Sequence, residues 1–448
     1  MTTAEYPPGP PNQAFGSNHL KSMRDDLIGF GRNLVREYGD VAYFRLGPHH
    51  CYQFIHPDHV AEILIEKARH FRKSQRLCQV FGRFEGKGLI VSDGEHWLKQ
   101  RRLIQPSFQP SMLKPYSLIV KEVVSDMLLR WRGREQVDYL HEMMSLAMTV
   151  LTRSLFSTGL DPSNMDRLQA AVAEIQRWAI REFNQIVATP RWLPLIGQPS
   201  TRNALKFLDT LVWDIIRDRQ RSGVEVDDLL GRLLAVADDK GKRMSLRQVR
   251  DELVTLLLAG HETMGVALTW TGWLLATHPE IQASLSQHVT SIADSRPKSP
   301  SEGNEFSTVT AAFQESLRFY PPVYSFTREV TIPVRIGDYE LAPGSQIFLS
   351  PFLTQHDERW FPDPEIFDPR RFDQGWEERI PGCAWFPFGA GPRGCIGRNF
   401  ANMEATIVLS TILKHCQLRP LPDQQAPALQ QRLSLHPKNG LHLAIAFF

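Results

Sequence analysis

Cys395 sits among glycines 389, 391, 394 and 397 in the stretch FGAGPRGCIG, with Arg393 two residues before it. A thiolate that ligates a metal needs its charge stabilised by cations and backbone N–H donors. Glycines let the backbone turn sharply and come close to a flat ligand. Amides in such a loop, and at the start of a helix after Cys395, can point at the sulfur. Phe388 supplies an apolar shield against water. The same residues also read as a glycine-rich surface turn around an inert cysteine. Zinc is disfavoured because no CxxC partner or nearby His pair exists, and no local base activates a nucleophile. A second constellation, Ala259-Gly260-His261-Glu262-Thr263, lies at the centre of a long apolar stretch. Glycine inside a helix costs about 1 kcal/mol relative to alanine, so it calls for a reason. Taken alone, Glu262 and Thr263 read as polar residues bonded to neighbours, and His261 as a packing residue rather than a ligand.

The elements that must position these residues are mostly helical. Leu253 to Ala276 is long enough to span a bilayer. His261 and Glu262 near its centre favour a buried helix, because charge is costly in hydrocarbon. Ser245 with Gln248 predicts a capping-box start and His278-Pro279 an end, giving a helix of roughly 48 Å. DVAYFRLG and CYQFIHP predict two strands joined by a Gly-Pro turn. The segment 76–92 reads as a loop, 296–307 as a polar loop, and TVTAAFQESLRFY as a helix ending before Pro321. VTIPVRIGDYELAPGSQIFLS predicts two or three strands, a helix starts near Arg398, and LHLAIAFF closes as a strand.

Composition narrows the class. The 448 residues are 42% hydrophobic and 22% charged with a net charge of +2, so neither a nucleic acid nor an anionic membrane is demanded. Five scattered cysteines form no disulfide framework and suit a reducing cytosol. MTTAEYPPGPPNQAFG shows no signal peptide. These readings lead us to expect a soluble, cytoplasmic, monomeric protein.

Phe388-x-x-Gly391-x-Arg393-x-Cys395-x-Gly397 is similar to the haem-binding signature of the cytochrome P450 family at all five fixed positions. The resemblance runs from about residue 40 to the end. It implies one P450 domain over 1–448 with a proline-rich lead at 1–16. The fold would be mainly α with a smaller β region, haem lying between a long central helix and a proximal cysteine loop. Cys395 becomes the thiolate ligand of haem b (iron protoporphyrin IX), pushing electron density that favours O–O cleavage. Ala259 and Gly260 leave room for a diatomic ligand and permit a local opening of the helix. Glu262 and Thr263 resemble the family's acid–alcohol pair for proton delivery. Glu315-Ser316-Leu317-Arg318 matches its ExxR, with Arg371 of FDPRRF as the third member of a structural triad. Glu66…Arg69 and Glu174…Arg177 match that spacing equally well; only chain position singles out Glu315. Trp97 and Arg101 resemble a WxxxR that reaches a haem propionate, with Arg328 and Arg393 as further partners.

The reaction implied is insertion of one atom of O2 into a hydrophobic small molecule, with NAD(P)H electrons arriving through a separate ferredoxin or flavodoxin and its reductase. Lys99, Arg101 and Arg102 could dock such an acidic partner. The PPGPP start is similar to the hinge of membrane-bound relatives, yet no stable membrane insertion is expected. Pocket lining is expected from 76–92, 180–200, Leu257 to Thr263, Val323 to Phe326 and Leu433 to Leu435, which are mostly apolar. The GHETM and GEHWLKQRRLIQPSF stretches lean toward a fatty acid or terpenoid. A peroxide-dependent peroxygenase, a haem-binding sensor and a haem-free structural or membrane protein are the alternatives.

Overall fold

Apolar residues at helical spacing put most of the chain into helices, and short β-branched and aromatic runs make a minor β portion. The computed structural model describes residues 6–157, 159–185, 189, 198–238, 241, 243–294 and 307–448. By its internal contacts the chain forms two compact units, Met1–Gln75 with Gln314–Cys395, and Arg76–Phe313 with Ile396–Phe448. Most of the expected polar loop at 296–307, and part of the expected lining segment 180–200, lie outside the described residues.

The first unit is built on a five-stranded sheet. Its order is Val41–Leu46, His49–Phe54, Gln346–Leu349, Phe326–Val330 and Phe71–Lys73. The first two strands pair antiparallel, Val41 opposite Phe54, across a turn in which Gly47 takes φ 59°. His49–Phe54 then pairs parallel with Gln346–Leu349. Cys51 to Phe54 are consecutively buried, as befits a strand covered on both faces. The apolar core gathers Tyr52, Phe54, Val60, Ile347, Leu349 and Phe386. Each such fully buried side chain stabilises the fold by about 1.5–3 kcal/mol.

The second unit is organised by the central helix Leu246–Thr277. Its capping box forms as expected: the Gln248 amide donates to Ser245 Oγ, and the Ser245 amide donates to Gln248 Oε1. This helix packs along Tyr139–Phe156. A Cβ on Gly272 would sit 2.2 Å from the Tyr139 ring, so glycine there permits the close approach. The helix is long and apolar enough to cross a membrane, yet 78% of its most apolar window is buried inside the protein. Its hydroxyls are satisfied locally, with Thr269 and Thr271 donating to the carbonyls four residues back.

The segment expected as a loop at 76–92 is helical over Gln75–Glu85. Val80 and Phe84 lie one turn apart and are both buried, and packing of that apolar face selects the helix. A three-stranded antiparallel sheet joins Gln136–Asp138, His442–Phe447 and Cys416–Arg419. A small hairpin pairs Leu429–Gln431 with Leu435–Pro437. The helices Ser307–Phe319 and Arg398–His415 match their expected places.

Candidate active site

In the first unit the cysteine loop is shaped by its glycines. Gly389 and Gly391 both take φ 66°. A Cβ on Gly391 would lie 2.0 Å from the Leu64 carbonyl oxygen, so only glycine fits. The Cys395 amide donates to the Phe388 carbonyl at 2.7 Å, closing the loop. Arg393 Nη1 donates to the Ala68 carbonyl at 2.9 Å and anchors it. Half-buried Phe388 meets Trp385 edge-on at 6.1 Å. Cys395 itself is exposed. Burial pushes the thiols of Cys51 and Cys416 up to about 12 and that of Cys383 up to about 11, so these three stay protonated. The helix after the loop starts at Arg398, with Gly397 as its N-cap.

Among the described residues no three His, Cys, Asp or Glu side chains come together as a metal site. A lone thiolate holds a metal well only when the metal brings its other donors, as haem iron does with its porphyrin. The loop therefore fits that group.

The first unit also holds the ExxR pair that is fully buried. Arg318 grips Glu315 with a fork, Nε to Oε2 at 2.7 Å and Nη2 to Oε1 at 2.9 Å, and both side chains are 0% exposed. Arg318 also donates to the carbonyls of Gln355 and Pro364, while the Asp368 amide donates to Glu315. Arg371 Nε lies 3.4 Å from Glu315 Oε1, completing the expected triad. Burial pushes the Glu315 carboxyl up, while Arg318, the Asp368 amide and Arg371 pull it down. By contrast the Arg177 partner of Glu174 is 68% exposed, and Glu66 and Arg69 are both exposed. Arg328, in Phe326–Val330, donates to the Thr327 carbonyl and lies over the Phe326 ring at 4.8 Å.

In the second unit the central helix is buried at every position from Asp251 to Ala276 except Ala259, Gly260 and Thr263. These three share one side of the helix, so a single face is open at its middle. The backbone runs unbroken there, without the expected local opening; Thr263 Oγ1 donates to the Ala259 carbonyl at 2.7 Å. Glu262 faces elsewhere. Its Oε1 accepts from Ser434 Oγ and His436 Nε2, each at 2.8 Å, and its Oε2 accepts from Gln176 Nε2 at 2.7 Å. Burial pushes this carboxyl up, yet His436 and Ser434 outweigh it and hold Glu262 below the usual carboxylate range. Burial lowers the neighbouring His261 imidazole to about 4, so it is neutral, as a packing residue should be. The acid and the alcohol are thus adjacent in sequence but satisfied by different partners.

Trp97 is buried in the helix Gly94–Ile104, and Arg101 one turn on donates to Gln105. Lys99, expected in a basic docking cluster, is instead ion-paired with Asp238, while Arg102 is exposed. The partners of Glu262 were not legible beforehand, since 86 to 174 residues separate them from it.

The first unit thus carries a glycine-bent loop with one exposed thiol, and the second a long helix whose buried middle, Asp251 to Ala276, is open only at Ala259, Gly260 and Thr263. The sequence model of the family described as Cytochrome P450 matches residues 7–444, and the chain belongs to that family. It is a cytochrome P450 monooxygenase that uses haem b held by a cysteine thiolate. It is similar to cyclooctatin synthase of Streptomyces melanosporofaciens, 32% identical over 89% of this chain and 88% of that protein. It is also similar to pentalenene oxygenase of Streptomyces avermitilis, 30% identical over 90% and 89% of the two chains. Human cytochrome P450 4F3 is 29% identical over 98% of this chain and 89% of its own.

Proposed function

We propose that Cys395 is the thiolate ligand and that the enzyme hydroxylates a hydrophobic terpenoid or fatty acid. The exposed thiol in a loop that only Gly391 can build carries this reading. In the first unit Phe388 shields the sulfur, and Arg393 and Arg328 serve haem propionates. In the second unit Trp97 and Arg101 do the same, Ala259 and Gly260 keep the helix face clear, and Gly397 starts the following helix. Glu315, Arg318 and Arg371 are structural. Bound haem supplies the oxygen activation; the protein binds, orients and excludes water. The family match runs through both units, which supports one catalytic domain. The terpenoid-modifying bacterial relatives support a terpenoid over a fatty acid. NAD(P)H electrons delivered by a ferredoxin or flavodoxin, a monomeric state and a cytoplasmic location complete the reading.

Glu262 and Thr263 pass protons to the reacting oxygen, the Thr263 hydroxyl at the open face and the Glu262 carboxylate behind it. A peroxide-driven enzyme would not need this pair. Thr263→Ala should therefore divert NAD(P)H-driven turnover to peroxide, reducing coupled product roughly 10²-fold, the low end for a proton-transfer group. Product per O2 consumed, measured with any redox partner that supports turnover, checks this; unchanged coupling would remove the pair from the mechanism. The ligand is tested by the carbon monoxide difference spectrum of the reduced protein. The strongly red-shifted Soret band should be present in wild type and lost in Cys395→Ser. Its persistence in the variant would overturn the assignment.

A further inference from the structure

Two oxygens of Glu262 meet three donors, all from residues outside its own helix. Ser434 and His436 lie on the second arm of the hairpin and its approach, and Gln176 on the helix Pro162–Phe183. Glu262, Ser434 and His436 are all buried. The hairpin is short, with only three paired positions on each arm. It is pinned to the central helix by Trp270 Nε1, which donates to the Leu435 carbonyl at 2.6 Å. Both donors to Glu262 Oε1 therefore belong to one small element fixed beside it, while Gln176 holds Oε2 from a separate helix.

We infer that Ser434 and His436 are positioning residues for Glu262, holding its carboxylate turned into the hairpin until that hairpin shifts. This rests on the reading of Glu262 as a proton-passing acid. A carboxylate that accepts three hydrogen bonds has no proton to give. To become a donor it must first take one from solvent water on an oxygen that the hairpin has released. The titratable groups facing Glu262 are His436 from the hairpin and His261 from its own helix; Gln176 is uncharged. His436 opposes the burial of Glu262 most strongly, followed by the Ser434 hydrogen bond. The Leu433–Leu435 turn, expected to line the substrate pocket, is continuous with these residues, so a bound substrate that displaces it also frees the acid.

Infrared titration of the holoenzyme tests the inference without turnover. The protonated carboxyl band of Glu262 is identified as the one missing from Glu262→Gln. In wild type it should emerge only in acid, below the usual carboxylate range. In His436→Ala it should emerge at a proton concentration at least tenfold lower, with His436→Gln, which keeps an N–H donor, falling between. Should His436→Ala fail to fold, Ser434→Ala should move the band in the same direction by about threefold. A band that titrates identically in wild type and these variants overturns the inference. Coupling measured in the same variants separates the two readings. A shifted band with unchanged product per O2 keeps the positioning role and removes Glu262 from the proton route.

Discussion

Glu315 and Glu262 are both buried carboxylates on helices, and they are held in opposite ways. Glu315 faces a guanidinium fork, a backbone amide and a second arginine, and Arg318 in turn spends its remaining donors on backbone carbonyls. A guanidinium does not lose its charge at any ordinary pH, so such a cluster has one state and serves as a joint. Glu262 faces a hydroxyl, an amide and an imidazole. None of these carries a permanent charge, so this carboxylate is not locked to a fixed cation as Glu315 is. Glu404 makes a third case. It is buried, its Oε1 has no hydrogen-bond partner among the described residues, and burial alone pushes its pKa up to about 8. The choice of partner, more than burial itself, decides whether an acid is a fastener, a switch or a neutral group.

The largest expected effect breaks the fastener. Arg318→Ala takes the guanidinium fork from buried Glu315, leaving it only the Asp368 amide and Arg371, and should cost about 3–5 kcal/mol of stability. Arg177→Ala, which cuts the exposed look-alike pair, should stay within about 0.5 kcal/mol. Chemical denaturation of both measures the contrast, and equal losses would erase the distinction drawn from burial.

A smaller, pH-dependent effect sharpens the neutral case. The folded-state pKa of Glu404 lies above its ordinary value of 4.5, so the folded protein keeps a proton that the unfolded chain has lost. The stability tied to that proton is complete below about pH 4.5 and drains away as pH rises toward 8. Glu404→Gln cannot titrate. Its stability relative to wild type should rise across that window by roughly 1.4 kcal/mol per pH unit. Thermal unfolding of both proteins between pH 5 and 8 reads the slope; parallel curves would mean Glu404 is ionised in the fold.

Sequence reading was strongest where chemistry is written in consecutive residues. The five positions from Phe388 to Gly397 and the Ser245–Gln248 capping box are local patterns, and local backbone geometry expresses them directly. The bounds of the central helix followed for the same reason, from a cap at one end and a proline at the other. Reading was weaker where several segments satisfied one pattern. Three pairs match ExxR; chain position points to Glu315, and in the fold burial separates it from Glu66 and Glu174. It failed at Gln75–Glu85, within the expected 76–92 loop, where the packing of Val80 and Phe84 produced a helix.

The sequence by itself determined that this chain is a mainly helical haem-thiolate enzyme, because a ligand loop and a long capped helix are encoded over stretches shorter than a few turns. Only the tertiary structure decided what those residues touch. Gly391 needs to be glycine because of Leu64, far away in the chain, and Glu262 is held by a hairpin more than 170 residues distant. Hydrogen bonds and close contacts of that kind depend on which surfaces pack together, and spacing along a chain carries no record of them.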